Sequence, residues 1–230
     1  MCASTNGLTP EAEYWDGRYA AGGRLWGDGP SELARLVAAR LGGRVSKDVS
    51  ILDLGCGYGR DSVYLARELG CHVLGADPSP AAVAEARRRR PGILPMDLEW
   101  EVAGAEALAA ASPARTFDIV YASNIYQLLR PWDRLAFAAA VSLLARPGGL
   151  LYLSTLSPRD PQHYAVGRSV QGEERSWIEH VYLHFCTAEE LRDDFPAFEV
   201  LDLEERAYEE TNIRGAHRHT SWFFEGRRRG

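Results

Sequence analysis

Leu33, Leu36, Val37 and Leu41 recur with helical spacing, and Ser31 stands where a helix cap belongs. The pattern predicts a helix opened by Ser31 and ended by Gly42-Gly43. From Val49 the pattern changes to short apolar runs at 49–54, 71–77, about 98–103, 117–122 and 150–154, which read as strands. The stretches between them read as helices. The first ends at Gly70, and the second is capped by Ser79 with Pro80 in its first turn. A third spans about 131–145, ahead of a Pro147-Gly148-Gly149 turn. A capped helix over 187–194 and strands near 198–206 and 219–226 finish the pattern. Strands alternating with helices predict an α/β fold with a mostly parallel sheet. No internal repeat is visible.

Two regions stand outside this alternation. Residues 1–9 read as disordered, and 10–19 as a short helix carrying Tyr14, Trp15 and Tyr19. A glycine-rich segment, 22–30, follows with Trp26 in its middle. Glycine flanks supply a hinge and an aromatic ring excludes water, so residues 1–45 read as helices and a lid ahead of a main domain, 46–230. The second region, 157–185, is long, polar and irregular, and such a stretch inside a compact domain is usually functional. Arg87 to Arg90 close a helix, where positive charge suits the helix dipole and solvent.

The most specific signal is Ile51-Leu52-Asp53-Leu54-Gly55-Cys56-Gly57-Tyr58-Gly59-Arg60-Asp61. A strand runs into three glycines at alternate positions and then into a helix, the first half of a nucleotide site. A dinucleotide fingerprint would place a small residue where Arg60 stands. Asp53 would repel a pyrophosphate and attract an ammonium group. Asp77 ends the second strand, 22 residues beyond Gly55 and ahead of Pro78, where an acid can accept both ribose hydroxyls.

Composition narrows the classes. The chain has 230 residues, 46% hydrophobic and 25% charged, within reach of one α/β domain with additions. A net charge of −6 disfavours wholesale nucleic-acid binding. Four scattered cysteines form no CxxC pair and no disulfide framework. With no signal segment and no membrane-length apolar run, a cytoplasmic protein is expected, a monomer or homodimer.

Taken in order, Ile51 to Gly59, Asp77, Phe117-Asp118-Ile119-Val120 with Ser123-Asn124, and Leu144 to Gly149 resemble the motifs of the class I S-adenosylmethionine (SAM)-dependent methyltransferases. The resemblance covers most of residues 10–226. It implies a Rossmann-like, seven-stranded, mostly parallel sheet with an antiparallel last strand and helices on both faces. It also implies SAM as cofactor. Asp53, Gly55 and Gly57 would meet its amino-acid end, Asp77 and Pro78 the ribose, and Ser123 and Asn124 the methionine. The family commonly has an acid where Gly104 stands, so Glu106 or the backbone of Ala105 would hold the adenine. The segments around Tyr14 and Trp26 resemble the lid of thiopurine and tellurite-resistance methyltransferases, which implies a small heteroatom acceptor.

Four of the six histidines, His180, His184, His217 and His219, fall late in the chain. A hydroxyl or amine acceptor needs a base near neutral pH, and a thiolate does not. The last strand runs antiparallel, so its start lies at the ligand edge. His217 and His219 are the expected catalytic candidates, with Tyr126 beside them. His180, His184 and Cys186 could be metal ligands by spacing, but their segment reads as extended, and no metal is expected. The rival readings are a nicotinamide-dependent oxidoreductase and a non-catalytic SAM-binding regulator.

Overall fold

The computed structural model describes residues 10–22, 25–89, 97–111, 115–212 and 215–230. The expected disorder of 1–9, the hinge residues Gly23-Arg24, and Arg90 lie outside these residues.

Five apolar runs become parallel strands: β1 (Ser50–Leu54), β2 (His72–Asp77), β3 (Leu98–Val102), β4 (Phe117–Ser123) and β5 (Ala145–Leu156). Two long strands close the sheet, β9 (Phe198–Asn212) and β10 (Gly215–Arg228), in the order β3-β2-β1-β4-β5-β10-β9. β10 runs antiparallel to both its neighbours. Parallel strands covered on both faces need apolar side chains in both directions, which is why the runs are nearly continuous. Leu52 and Leu54 pack with Val120, Leu153 and Phe137 in one core cluster, while Ile51 points to the other, with Val37, Leu65, Tyr121 and Phe223. Asp53 is the polar exception on that second face.

The helices are α1 (Pro10–Ala20), α2 (Glu32–Leu41), α3 (Arg60–Leu69), α4 (Pro80–Arg89), α5 (Ala105–Ala111), α6 (Pro131–Leu144) and α7 (Ala188–Asp194). Ser31 caps α2 by accepting from the Ala34 amide, and Thr187 and Glu190 cap α7 reciprocally. Arg87 and Arg88 are exposed at the helix end, Arg88 and Arg89 pair with Glu85, and Arg89 also lies over the Tyr58 ring.

Three expectations need correction. The Pro147-Gly148-Gly149 turn is a bulged start of β5, with left-handed Gly148 and a register shift against β4. The 157–185 insertion is not structureless. It holds a small antiparallel sheet of β6 (Arg168–Ser169), β7 (Ser176–Ile178) and β8 (Tyr182–His184), sealed by Tyr164, Trp177 and Phe185 rings. Finally, β9 and β10 run much further than expected. β10 pairs with β5 only over Ser221–Arg227 but with β9 along its whole length. The start of β10 and the end of β9 therefore form a two-stranded arm beyond the carboxyl edge of the sheet. Glu209, Glu210, Thr211 and Arg218 on the arm give no apolar alternation to read.

Candidate functional site

The glycine turn after β1 is held from β2. The amides of Gly55 and Cys56 both donate to the Ala76 carbonyl, at 2.8 and 3.1 Å. Gly57 N–H donates to Asp77 Oδ2 and Ser79 N–H to Asp77 Oδ1, each at 2.9 Å. Gly57 and Gly59 are left-handed, at φ 55° and 79°. A Cβ on Gly57 would sit 2.7 Å from the Tyr19 hydroxyl, and one on Gly59 would sit 2.1 Å from the Trp100 ring. Asp77 is buried, and burial pushes its carboxyl up to about 6, with the Ser79 and Gly57 amides opposing. Each carboxylate oxygen has spent one lone pair on the backbone and keeps another.

Asp53 is 2% exposed and accepts a hydrogen bond from Ser62 of α3. Burial, then the charge of Asp61, push its carboxyl well above the usual range. The carboxylate that organises this face is Asp61, which sequence reading missed. It receives the Ser31 amide (2.8 Å), the Ser31 hydroxyl (2.6 Å) and the Tyr121 hydroxyl (2.8 Å), and so ties the start of α2 to the first turn of α3. Burial keeps Cys56 a thiol, its pKa well above the ordinary value.

The N-terminal segment lies over this turn. Asp16 accepts from the Ser79 hydroxyl (2.6 Å) and the Ala81 amide (2.9 Å) at the start of α4, and Arg130 holds Glu11 at 3.1 Å. The ring brought against Gly57 is Tyr19 rather than Tyr14, which packs edge-on to Trp15. Trp26 forms a second layer. Its backbone amide meets the Tyr58 hydroxyl at 3.2 Å, its indole N–H reaches Tyr19 at 3.4 Å, and its carbonyl accepts from Arg60 at 2.6 Å.

After β3, the Ala103 amide donates to the Asp77 carbonyl at 3.1 Å, which brings this loop beside the β2 end. Ala105 is buried at the start of α5, Glu106 is exposed in its first turn, and Pro78 is exposed. At the end of β4, Ser123 reaches the Ser31 and Ser154 hydroxyls, both at 3.3 Å. Asn124 adopts a left-handed φ of 56°, with its amide on Ser154. Tyr126 is not part of this edge. It is fully buried among Phe137 and Phe195, donates to Asp194 at 2.7 Å, and serves as a core residue.

The arm carries the expected histidines together with partners that sequence reading missed. His219 Nδ1 lies 3.2 Å from Asp160 Oδ2, and its ring stacks on His163 at 5.4 Å. His217 stacks on His219 at 6.2 Å, and Tyr208 lies 5.8 Å from it. Burial lifts the Tyr208 phenol to about 12, against hydrogen bonds with Ser221 and Asn124. Asp160 also accepts from the Gln162, His163 and Thr220 amides at 3.1, 2.8 and 3.0 Å. The donor atoms of Asp160, His163 and His219 fall within 4.8 Å of one another, the spacing of a possible ion site. His180, His184 and Cys186 do not assemble. His180 is exposed, His184 binds Ser176 at 2.9 Å inside the small sheet, and Cys186 is buried against Thr155. An Asx-type turn signal at Asp160-Pro161 was the one local hint of this cluster.

A family profile described as a methyltransferase domain matches residues 51–149. The chain is 35% identical over 150 residues to the ubiquinone biosynthesis O-methyltransferase of Cereibacter sphaeroides (strain ATCC 17029 / ATH 2.4.9), covering 62% of this chain and 56% of that one. It thus spans little more than half the length of that curated relative. A SAM-dependent methyltransferase from Anabaena variabilis shares the fold with a TM-score of 0.75 at 16% identity, over 96% of both chains. TehB from Haemophilus influenzae does so with a TM-score of 0.60 at 17% identity, over 84% of this chain and 61% of its own. Among the described residues no helix is long and apolar enough to cross a membrane. The region from β1 to the start of β5, with its glycine turn and its β2 acid, thus matches a methyltransferase domain in sequence, and the seven-stranded sheet shares its fold with solved methyltransferases.

Proposed function

We propose that this protein transfers a methyl group from SAM to a heteroatom of a small-molecule acceptor. The observation that carries the reading is the Gly57–Asp77 couple. A nucleoside ribose needs an acceptor at the end of β2, and Asp77 keeps one lone pair on each oxygen for it. The residues present fit SAM. Asp77 and Pro78 would hold the ribose, the loop at Ala105 and Glu106 the adenine, and Gly55, Gly57, Ser123 and Asn124 the amino-acid end. Asp53 would act from beneath the turn, through Ser62. Tyr19, Trp26 and Tyr14 would close over it and exclude water.

SAM supplies an electrophilic methyl group and leaves as the neutral thioether S-adenosylhomocysteine. The chain's own task is to align the acceptor in line with that methyl. The arm, with His217 and His219, and the end of β4 would form the acceptor wall. A net charge of −6 supports a small molecule over a nucleic acid. A reducing, cytoplasmic setting is part of the same reading, and Cys56, Cys71 and Cys186 are free thiols. Calorimetry tests the proposal. SAM and S-adenosylhomocysteine should each bind one to one, and binding of neither would end the methyltransferase reading.

A further inference from the structure

We infer that His219 is the general base of the acceptor site, that Asp160 positions it, and that the acceptor is a phenolic hydroxyl rather than a thiolate. The inference rests on the methyltransferase reading above.

Asp160 lies four residues beyond the end of β5, directly after a turn, and its side chain is fully buried. Burial alone would raise its carboxyl. Hydrogen bonds from His219, Thr220 and His163 overcome that and hold it below the ordinary value. A carboxylate only accepts, so the bond at 3.2 Å requires the proton on His219 Nδ1. That leaves Nε2 as the ring nitrogen turned away from Asp160, and a neutral ring with this tautomer has its lone pair there.

An ion is the competing use of the same residues. Asp160 Oδ1 already receives Gln162 and His163, and Oδ2 receives Thr220 and His219. A carboxylate has about four lone-pair sites, so all are taken by N–H donors. A metal would have to break this set before it could bind. The geometry is that of a hydrogen-bonded couple.

Strand alternation aims the couple. Phe223 packs in the core cluster that holds Ile51 and Tyr121, and Ser221 at the last β5 pairing, then His219 and His217 beyond it, continue that face along β10. Tyr208 and Glu210 stand opposite His219 and His217 on β9. Glu210 reaches Arg60 at 2.8 Å, in the first turn of α3 directly after Gly59. The histidine face of the arm is thus turned towards the glycine turn. His219 is faced by Asp160 and His163 from the segment after β5, by Tyr208 and Glu210 from β9, and by His217 on its own strand, with Glu179 acting on His163. Burial holds His163 below its ordinary value, against the charge of Asp160, so the stacked ring orients His219 without competing for the proton.

A thiolate acceptor would leave this couple without a task. A phenol, ionising near 10, lies within a few units of imidazole, so proton removal is within reach of a histidine. In the step, His219 Nε2 takes the hydroxyl proton and the freed oxygen pair forms the bond to the methyl carbon. The sulfur–carbon pair stays on sulfur, and the imidazolium later releases its proton to solvent. Charge and atoms balance without a further reactant.

The test has two arms on the intact protein with S-adenosylhomocysteine or SAM. Long-range 1H–15N spectra of the imidazoles should show the His219 proton on Nδ1, with that tautomer lost in D160N. Methylation of catechol and a panel of simple phenols should fall by about 10²–10⁴ in H219A and in H219Q with SAM affinity unchanged. D160N should lower the rate less and displace the acidic limb of the pH profile, which loss of packing alone would not do. An Nε2–H tautomer, wild-type phenol turnover in both His219 variants, or methylation confined to thiols would each overturn the inference. So would stoichiometric Co²⁺ binding abolished by H219A. If S-adenosylhomocysteine fails to bind while the Nδ1–H tautomer is present, the methyltransferase reading falls and the couple stands.

Discussion

The two ends of the proposed site are built in opposite ways. The heart of the cofactor end, its glycine turn and ribose acid, comes from one stretch, residues 53–79, in which each element follows the last and backbone groups do most of the holding. The acceptor end takes Asp160 and His163 from the segment after β5 and Tyr208 and His219 from the arm, and is held by side chains. A cofactor shared across a fold asks for one backbone shape, and glycine spacing encodes it. An acceptor particular to one enzyme asks for side chains that only the tertiary fold assembles.

The cofactor end should be the more fragile. Gly59→Ala meets both a left-handed backbone and the Trp100 ring 2.1 Å away, so urea unfolding should show a loss of about 2–5 kcal/mol. A stability within error of the wild type would mean the turn tolerates far more than its geometry allows. Asp77→Ala should weaken SAM by tenfold or more, from roughly 1.5–3 kcal/mol for bonds to a charged acceptor, read by calorimetry. The same group sets a pH dependence. Its carboxyl is raised to about 6 by burial, so it protonates as pH falls through 6 and loses one lone pair. SAM affinity should therefore drop below pH 6 and level off above it, and Asp77→Asn should flatten the curve.

At the other end, Tyr126→Phe should cost about 1 kcal/mol of stability through the lost Asp194 bond, with turnover unchanged. A collapse of turnover at wild-type stability would return Tyr126 to the acceptor site. The smallest effect is expected from Glu210→Gln, about 0.3–1 kcal/mol for a partly exposed pair, seen as a rise of a few-fold in acceptor KM with SAM binding retained.

Legibility followed the same division. The alternation of apolar runs and the glycine spacing placed four of the five parallel strands to within a residue at each end, because burial on both faces leaves a continuous local mark, while the bulged start of β5 hid behind Pro147-Gly148-Gly149. Asp77 was legible as an acid at a fixed distance after a turn. Asp61 gave no signal of its role, because no linear pattern shows that Ser31 and Tyr121 will be its neighbours. Tyr126 misled for a like reason: an aromatic after β4 reads the same whether it faces ligand or core. His163 and Asp160 gave little signal, since their importance comes from β10 passing beside them, more than fifty residues later.

Arg60 began as the residue that spoiled a dinucleotide fingerprint. In the fold it grips the Trp26 carbonyl with the same nitrogen that meets Glu210, one atom touching both the segment over the cofactor turn and the arm over the acceptor. Thermodynamic linkage follows from this shared contact. Whatever closes one side favours closure of the other, and the coupling is reciprocal. SAM should bind more tightly when the acceptor is present, the acceptor should gain by the same factor from SAM, and cutting this single guanidinium should let the two bind independently.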